Sequence, residues 1–130
     1  MGHSDADVLL HAVMDALLGA ANLGDIGTHF PSKDPQYKNI SSLDLLRRVG
    51  ALLLDRGWEI VNVDSSVVAE RPRISPYIPQ MNYHVIKALG INDDQVGIKA
   101  TTTEGLGFAG RGEGIAAYAV ALVTKAHTNE

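Results

Sequence analysis

The 130-residue sequence contains no cysteine, which excludes disulfides, thiolate metal sites and thiol nucleophiles and suits a reducing compartment such as cytoplasm or plastid stroma. It also lacks any run of lysine or arginine. With a net charge of −4 at pH 7, it offers no basic track for a phosphate backbone, and no nucleic-acid partner is expected. Long apolar runs are missing as well. The longest, around Val8 to Leu18, is interrupted by His11 and Asp15, is too short to span a bilayer and has no basic segment before it, so neither an anchor nor a signal is expected. What remains, 45% hydrophobic and 20% charged residues, is the composition of a soluble globular protein. The length fits a single domain, 1–130, able to bury a core without crosslinks.

Periodicity predicts a first helix over Asp5 to Leu18, with Ser4 and Asp7 spaced as a capping box. Residues 24–39, with Gly24, Gly27, Pro31, Asp34 and Pro35 and little periodicity, read as a loop. Ser41 or Ser42 caps a second helix, in which Leu43, Leu46, Val49, Leu52 and Leu53 recur at helical spacing and Gly57 marks the stop. Glu59 to Ala69 is β-branched and partly alternating, as a strand is. Ser75 is positioned to cap a third helix that tolerates Pro76 or Pro79 in its first turn and closes at Gly90. Val96 to Thr103 reads as a strand. Ile115 to Lys125 suits either a helix or a buried strand, and the strand is preferred. The order α-α-β-α-β-β, with one β-α-β crossover, implies an α/β fold (an α+β sandwich-like arrangement) with a small mixed β-sheet and helices packed on one face.

Three polar side chains, Asp7, His11 and Asp15, punctuate the first helix four residues apart and so share one stripe. An imidazole and carboxylates suit a divalent cation such as Zn²⁺, but hydrogen-bonded groups of the core would read the same way. Residues eight apart rise about 12 Å along a helix and cannot share one tetrahedral ion. Any metal at His11 therefore needs ligands from elsewhere. His3 and Ser4 precede the helix, where a phosphate can be held, or Ser4 is a plain cap and His3 is exposed. Lys99-Ala-Thr-Thr-Thr-Glu104 ends a strand with groups that hold a diphosphate or its cation, although three threonines also satisfy β-propensity alone. Gly105-Leu-Gly-Phe-Ala-Gly110 matches the dinucleotide fingerprint in form, but too little chain follows for that fold. Its glycines let backbone turn closely around a ligand, with Arg111 offering a bidentate phosphate contact, or they make an ordinary turn between strands.

Read together, GHSDADVLLHAVMDALLGAANLGDIG (residues 2–27), FPSKDP (30–35), NVD (62–64), RPRISPYIPQM (71–81) and KATTTEGLGFAGRGEGIAAYAVAL (99–122) resemble the 2-C-methyl-D-erythritol 2,4-cyclodiphosphate synthase family, in the family's order and spacing. The resemblance implies an α/β subunit of a homotrimer with sheets facing the central axis and active sites between neighbouring subunits. It implies a lyase of non-mevalonate isoprenoid synthesis, in which a diphosphocytidyl substrate closes into a cyclic diphosphate and releases CMP. By similarity, His11 is a zinc ligand, Glu104 holds a second cation, Mg²⁺ or Mn²⁺, and His3 and Thr102 stabilise the transition state. His3 and Ser4 also touch substrate. Asp25, Ile26, Gly27, Phe30, Pro31, Ser32, Lys33 and Asp34 would meet the methylerythritol portion. Ala69, Glu70, Arg71, Pro72, Arg73, Ile74 and Ser75, with Thr101, Thr102 and Thr103, would form the cytidine pocket. Phe108 and Arg111 correspond to positions near the phosphate and the central cavity.

The family normally opens with a strand bearing Asp-x-His that completes the zinc site, whereas this sequence opens directly before the helix. The expectation is weak or no metal occupancy, severely reduced turnover and an unpaired sheet edge. Ser32 stands where the family often has Asp, and Ala109 where it often has Thr. Two other classes remain: a cytidine-nucleotide-binding module without catalysis, and a trimeric scaffold without ligands.

Overall fold

The computed structural model describes residues 3–69, 74–102, 107 and 114–126, with backbone alone for residues 3–5. The first apolar stretch forms α1 (His3–Ala20). Its Leu9, Leu10, Val13, Met14, Leu17 and Leu18 are all buried, and their helical spacing commits one face to the core. The helix begins earlier than its pattern implied, because His3 and Ser4 are helical residues rather than flanking ones. Ser4 is therefore not the cap that the sequence suggested.

Left-handed backbone at Asn22 (φ 57) and Gly24 (φ 88) turns the chain after α1. The region read as a loop contains α2 (Ile26–His29) and a 3-10 turn (Pro35–Tyr37), capped by Asp25 and Asp34 respectively. Side-chain caps of this kind act locally and leave no apolar period in the sequence. Ser41, rather than Ser42, caps α3 (Ser42–Asp55), its Oγ accepting from the Asp44 amide at 3.1 Å. Gly57, at φ +82, ends it as expected.

The strand β1 (Trp58–Val68) carries a register irregularity between Ile60 and Asn62. Ser75 does not cap the next helix. It opens a 3-10 turn, Ser75–Tyr77, that runs into α4 (Ile78–Leu89), and no side chain caps either. Proline near the start of each removes a donor that a cap would have served. Gly90, at φ 66, closes α4 with its N–H on the Ile86 carbonyl at 2.9 Å. The strand β2 (Val96–Thr101) is shorter than its sequence implied: Thr102 lies beyond it, and Thr103 is outside the described residues. The ambiguous segment is a strand, β3 (Ala116–Lys125).

The sheet order is β2-β1-β3, with β1 and β2 parallel and β1 and β3 antiparallel. Since α4 is the crossover between β1 and β2, the β-α-β reading holds. Val63, Ser65 and Val67 of β1 are buried under the helices, and the Ser65 hydroxyl is satisfied by the Gly97 carbonyl at 3.1 Å. The helix α1 packs on β3 and β1, α3 packs on α1 and α4, and α4 packs on β2. The outward positions of β3, Tyr118, Val120 and Leu122, are 67%, 69% and 57% exposed. The small mixed sheet and its one-sided helices are as expected. Among the described residues no helix is long and apolar enough to cross a membrane.

Candidate active site

The polar stripe of α1 finds its partner in a cavity rather than in the core. Asp7, His11 and Asp15 line one space of about 630 Å³, facing Asp25, Ile26, Gly27, Phe30 and Ser32 from the turn that follows the helix. Tyr37, Ile40, Ser42 and Leu45 close its far side. His11 and Asp15 are exposed and Asp7 half-buried, so the reading of this stripe as internal hydrogen-bonded groups fails. The His11 Nδ1 lies 2.7 Å from the Asp7 backbone carbonyl. A carbonyl only accepts, so Nδ1 carries the proton and the Nε2 lone pair is left for a ligand. This arrangement suits an imidazole that binds a cation.

The opposing wall depends on one aspartate. Asp25 Oδ1 accepts from the Thr28 amide at 2.9 Å and from the Thr28 hydroxyl at 2.8 Å. These bonds, the hydroxyl's first and then the amide's, hold its carboxyl below the usual carboxylate range. Asp15 Oδ1 in turn accepts from the Ile26 amide at 3.2 Å. Phe30 meets Tyr37 edge-on, with centroids 5.3 Å apart, and the Arg48 guanidinium lies 5.5 Å above the Tyr37 ring. This packing holds the loop close to α3.

A second group of predicted residues gathers elsewhere, at the carboxyl ends of the parallel strands. The Ala69 amide donates to the Thr101 carbonyl at 3.1 Å, continuing the β1–β2 ladder and bringing these two predicted pocket residues together. Strand ends of this kind are common ligand positions in sheets with parallel crossovers. The side chains of Ala69 and Ile74, however, are buried with Leu9, Val67 and Met81, and they support the wall rather than projecting from it. Ser75, Thr101 and Thr102 are exposed. Among the described residues, none of Ala69, Ile74, Ser75, Thr101 and Thr102 lines the His11 cavity.

Of the remaining candidates, Pro31 and Lys33 are exposed, and Asp34 uses both carboxylate oxygens on Gln36. Lys99, which the sequence placed among groups able to hold a diphosphate, is paired here. Its Nζ sits 2.7 Å from each carboxylate oxygen of Asp64, across the parallel pair. The side chains of His3 and Ser4, and all of Glu70, Arg71, Pro72, Arg73, Thr103, Glu104, Phe108 and Arg111, lie outside the described residues. Among the described residues no three His, Asp or Glu side chains gather as a metal site. Among the described residues the chemistry fits one imidazole ligand of a cation, His11.

The sequence set Asp7 and Asp15 beside His11 in a stripe suited to a divalent cation or to hydrogen-bonded core groups, but nothing in it assigned Tyr37, Ile40 or Leu45 to a site, and Ser42 stood only as a possible cap. Ser42 and Leu45 reach the cavity because α3 packs against α1, and Tyr37 and Ile40 come from the segment just before α3; no local pattern encodes either.

Comparison with known proteins agrees with the architecture. A family model described as the YgbB family matches residues 1–124. The 2-C-methyl-D-erythritol 2,4-cyclodiphosphate synthase of Pelotomaculum thermopropionicum is 65% identical over 125 residues, 96% of this chain and 77% of that one. The protein of the same name from Syntrophomonas wolfei is 60% identical over 126 residues, covering 97% and 80%. A solved structure described as IspF of Plasmodium falciparum in complex with CDP superposes with a TM-score of 0.81 at 31% identity, covering 98% of this chain and 76% of that one.

Proposed function

The chain belongs to the YgbB family, and from that premise we propose that it is a 2-C-methyl-D-erythritol 2,4-cyclodiphosphate synthase subunit, a single domain over 1–130. It takes 4-diphosphocytidyl-2-C-methyl-D-erythritol 2-phosphate. The 2-phosphate oxygen forms a bond to the β-phosphorus as the bond from that phosphorus to CMP breaks, giving the cyclic diphosphate and CMP without consuming water. The observation that carries this reading is the cavity in which the His11 ring, proton on Nδ1, faces the Asp25–Gly27 turn.

Phosphoryl transfer needs positioning and charge neutralisation more than a protein nucleophile, so the absence of cysteine costs it nothing. His11 offers Nε2 to a Zn²⁺-like cation, and Glu104 is proposed to hold Mg²⁺ or Mn²⁺. When bound, such cations neutralise the charge that develops on the diphosphate. Asp25 and Gly27, with the Phe30–Asp34 segment, bind and orient the methylerythritol hydroxyls. His3 and Thr102 donate to phosphate oxygens, and Arg111 with Phe108 lies near the phosphate and the central cavity.

The cytidine pocket is assigned to residues 69–75 with 101–103. That the described members of this set, Ala69, Ile74, Ser75, Thr101 and Thr102, lie outside the lining of the His11 cavity supports an active site completed between subunits of a homotrimer. The exposed Tyr118–Val120–Leu122 face of β3 supports the same assembly, with the sheets facing its axis. Cytoplasm is the expected location. The test is CMP release from the substrate with Zn²⁺ and Mg²⁺ present: cation-dependent CMP and cyclic product are expected, and a rate equal to that of a chelated control overturns the assignment.

A further inference from the structure

The mechanism above leaves two carboxylates of the cavity, Asp7 and Asp15, without a role, and only the Asp15 side chain bonds to the opposing wall. Asp15 lies one turn beyond His11 on the same stripe of α1, and it is exposed in the cavity wall rather than buried. Its Oδ1 accepts the Ile26 amide at 3.2 Å. Among the described residues this is the one side-chain hydrogen bond that ties α2 to α1. The four-residue α2 is far too short to persist by its own helical hydrogen bonds. The chain reaches it through two left-handed residues, Asn22 and Gly24, so its orientation relative to α1 is not set by a continuous rigid element. Asp25 satisfies the Thr28 amide and hydroxyl within the turn; Ile26 packs on the main core and the His29 ring reaches the Leu23 carbonyl, so what the Asp15 bond adds is the alignment of the turn's start with α1.

We propose that Asp15 is a positioning residue that docks the Asp25–His29 turn against α1, so that the Asp25 carboxylate and Gly27 face the cavity at the level of His11. This rests on the functional reading above and deepens it. The side chain acts as a hydrogen-bond acceptor for a backbone amide, one of the orphan donors at the start of a helical turn. It is not a charge that must meet substrate. An acceptor role of this kind survives replacement by asparagine, whose carbonyl oxygen can take the same bond, and is lost with alanine. Because the turn meets the part of the substrate that does not react, losing the dock weakens binding more than it slows chemistry.

The experiment compares Asp15→Ala and Asp15→Asn in the full chain. One exposed bond to a charged acceptor supports about a tenfold effect on binding. In D15A, KM is expected to rise roughly tenfold with kcat within about threefold of wild type, and D15N to recover most of the loss. A D15N variant as impaired as D15A overturns the proposal, since charge would then be what matters. A wild-type KM in D15A overturns it too. A second readout needs no turnover: the Ile26 amide proton in solution NMR should move upfield in D15A and much less in D15N. If the wild-type chain releases no CMP, the functional reading fails and this shift alone decides the dock. An Ile26 resonance unmoved in D15A refutes it.

Discussion

Replacing Leu9 with alanine tests whether the start of α1 really lies over the strand ends that carry the proposed cytidine pocket. Leu9 is fully buried, in a cluster with Val67, Ala69, Ile74 and Met81 that is separate from the larger core. Its neighbours come from α1, from the end of β1 and from the start of α4, so collapse into the void requires separate elements to move together. Leu→Ala at such sites costs 2–5 kcal/mol, combining lost transfer energy with the cavity left behind. A cluster of this small size at the strand ends relaxes somewhat, and about 3 kcal/mol is expected. With a urea dependence of about 2 kcal/mol per molar for a domain of this size, the midpoint should fall by roughly 1.5 M. The only tryptophan, Trp58, sits at the opposite end of β1 with the Lys125 Nζ 4.1 Å above its ring. Its fluorescence reports global unfolding rather than a local change. The control is Leu54→Ala, 69% exposed, which should shift stability by less than about 0.5 kcal/mol. A loss below about 1 kcal/mol in L9A would refute the packing of α1 over the strand ends, and with it the support given to Ala69 and Thr101.

Gly97→Ala places a Cβ 2.8 Å from Asp64 Oδ1, and the carboxylate can turn aside only by loosening its pair with Lys99; a loss of at most about 1 kcal/mol is expected, read from the urea midpoint, and a Gly97→Ala chain more stable than wild type argues against the Asp64–Lys99 geometry. Thr28→Val removes the hydroxyl bond to Asp25 and should raise the Asp25 carboxyl midpoint in an NMR titration, while the backbone bond keeps it below 3.8. Because that midpoint is depressed on folding, the cap's contribution is complete above the unfolded value of 3.8 and is lost as pH falls through the lower folded value. A midpoint equal to wild type counts against the hydroxyl's role. Val120→Lys places a charge on the exposed apolar face of β3 and should convert the proposed trimer of 13.9 kDa chains to monomers by light scattering; an undiminished mass sends the interface elsewhere.

The sequence by itself determined most of the longer elements, because burial on one face writes a period of 3.6 or 2 into α1, α3 and β1, whereas the near-continuous apolarity of β3 suited helix and strand alike. It also marked the α1 stripe as unusual, since Asp7, His11 and Asp15 interrupt an otherwise apolar helix. Caps were less legible: Ser4 and Ser75 look like cap residues, yet the structure starts α1 before Ser4 and leads into α4 through a proline-containing 3-10 turn. Local hydrogen bonds built α2 inside a segment with no period to read. Only the tertiary structure decided what the stripe faces, which strand β3 joins and what Lys99 does. Those outcomes depend on contacts between residues distant in the chain: α3 closing the cavity over α1, Ile26 reaching back to Asp15, and Asp64 standing across the parallel pair from Lys99. A linear pattern records which face is apolar but not which surface will cover it.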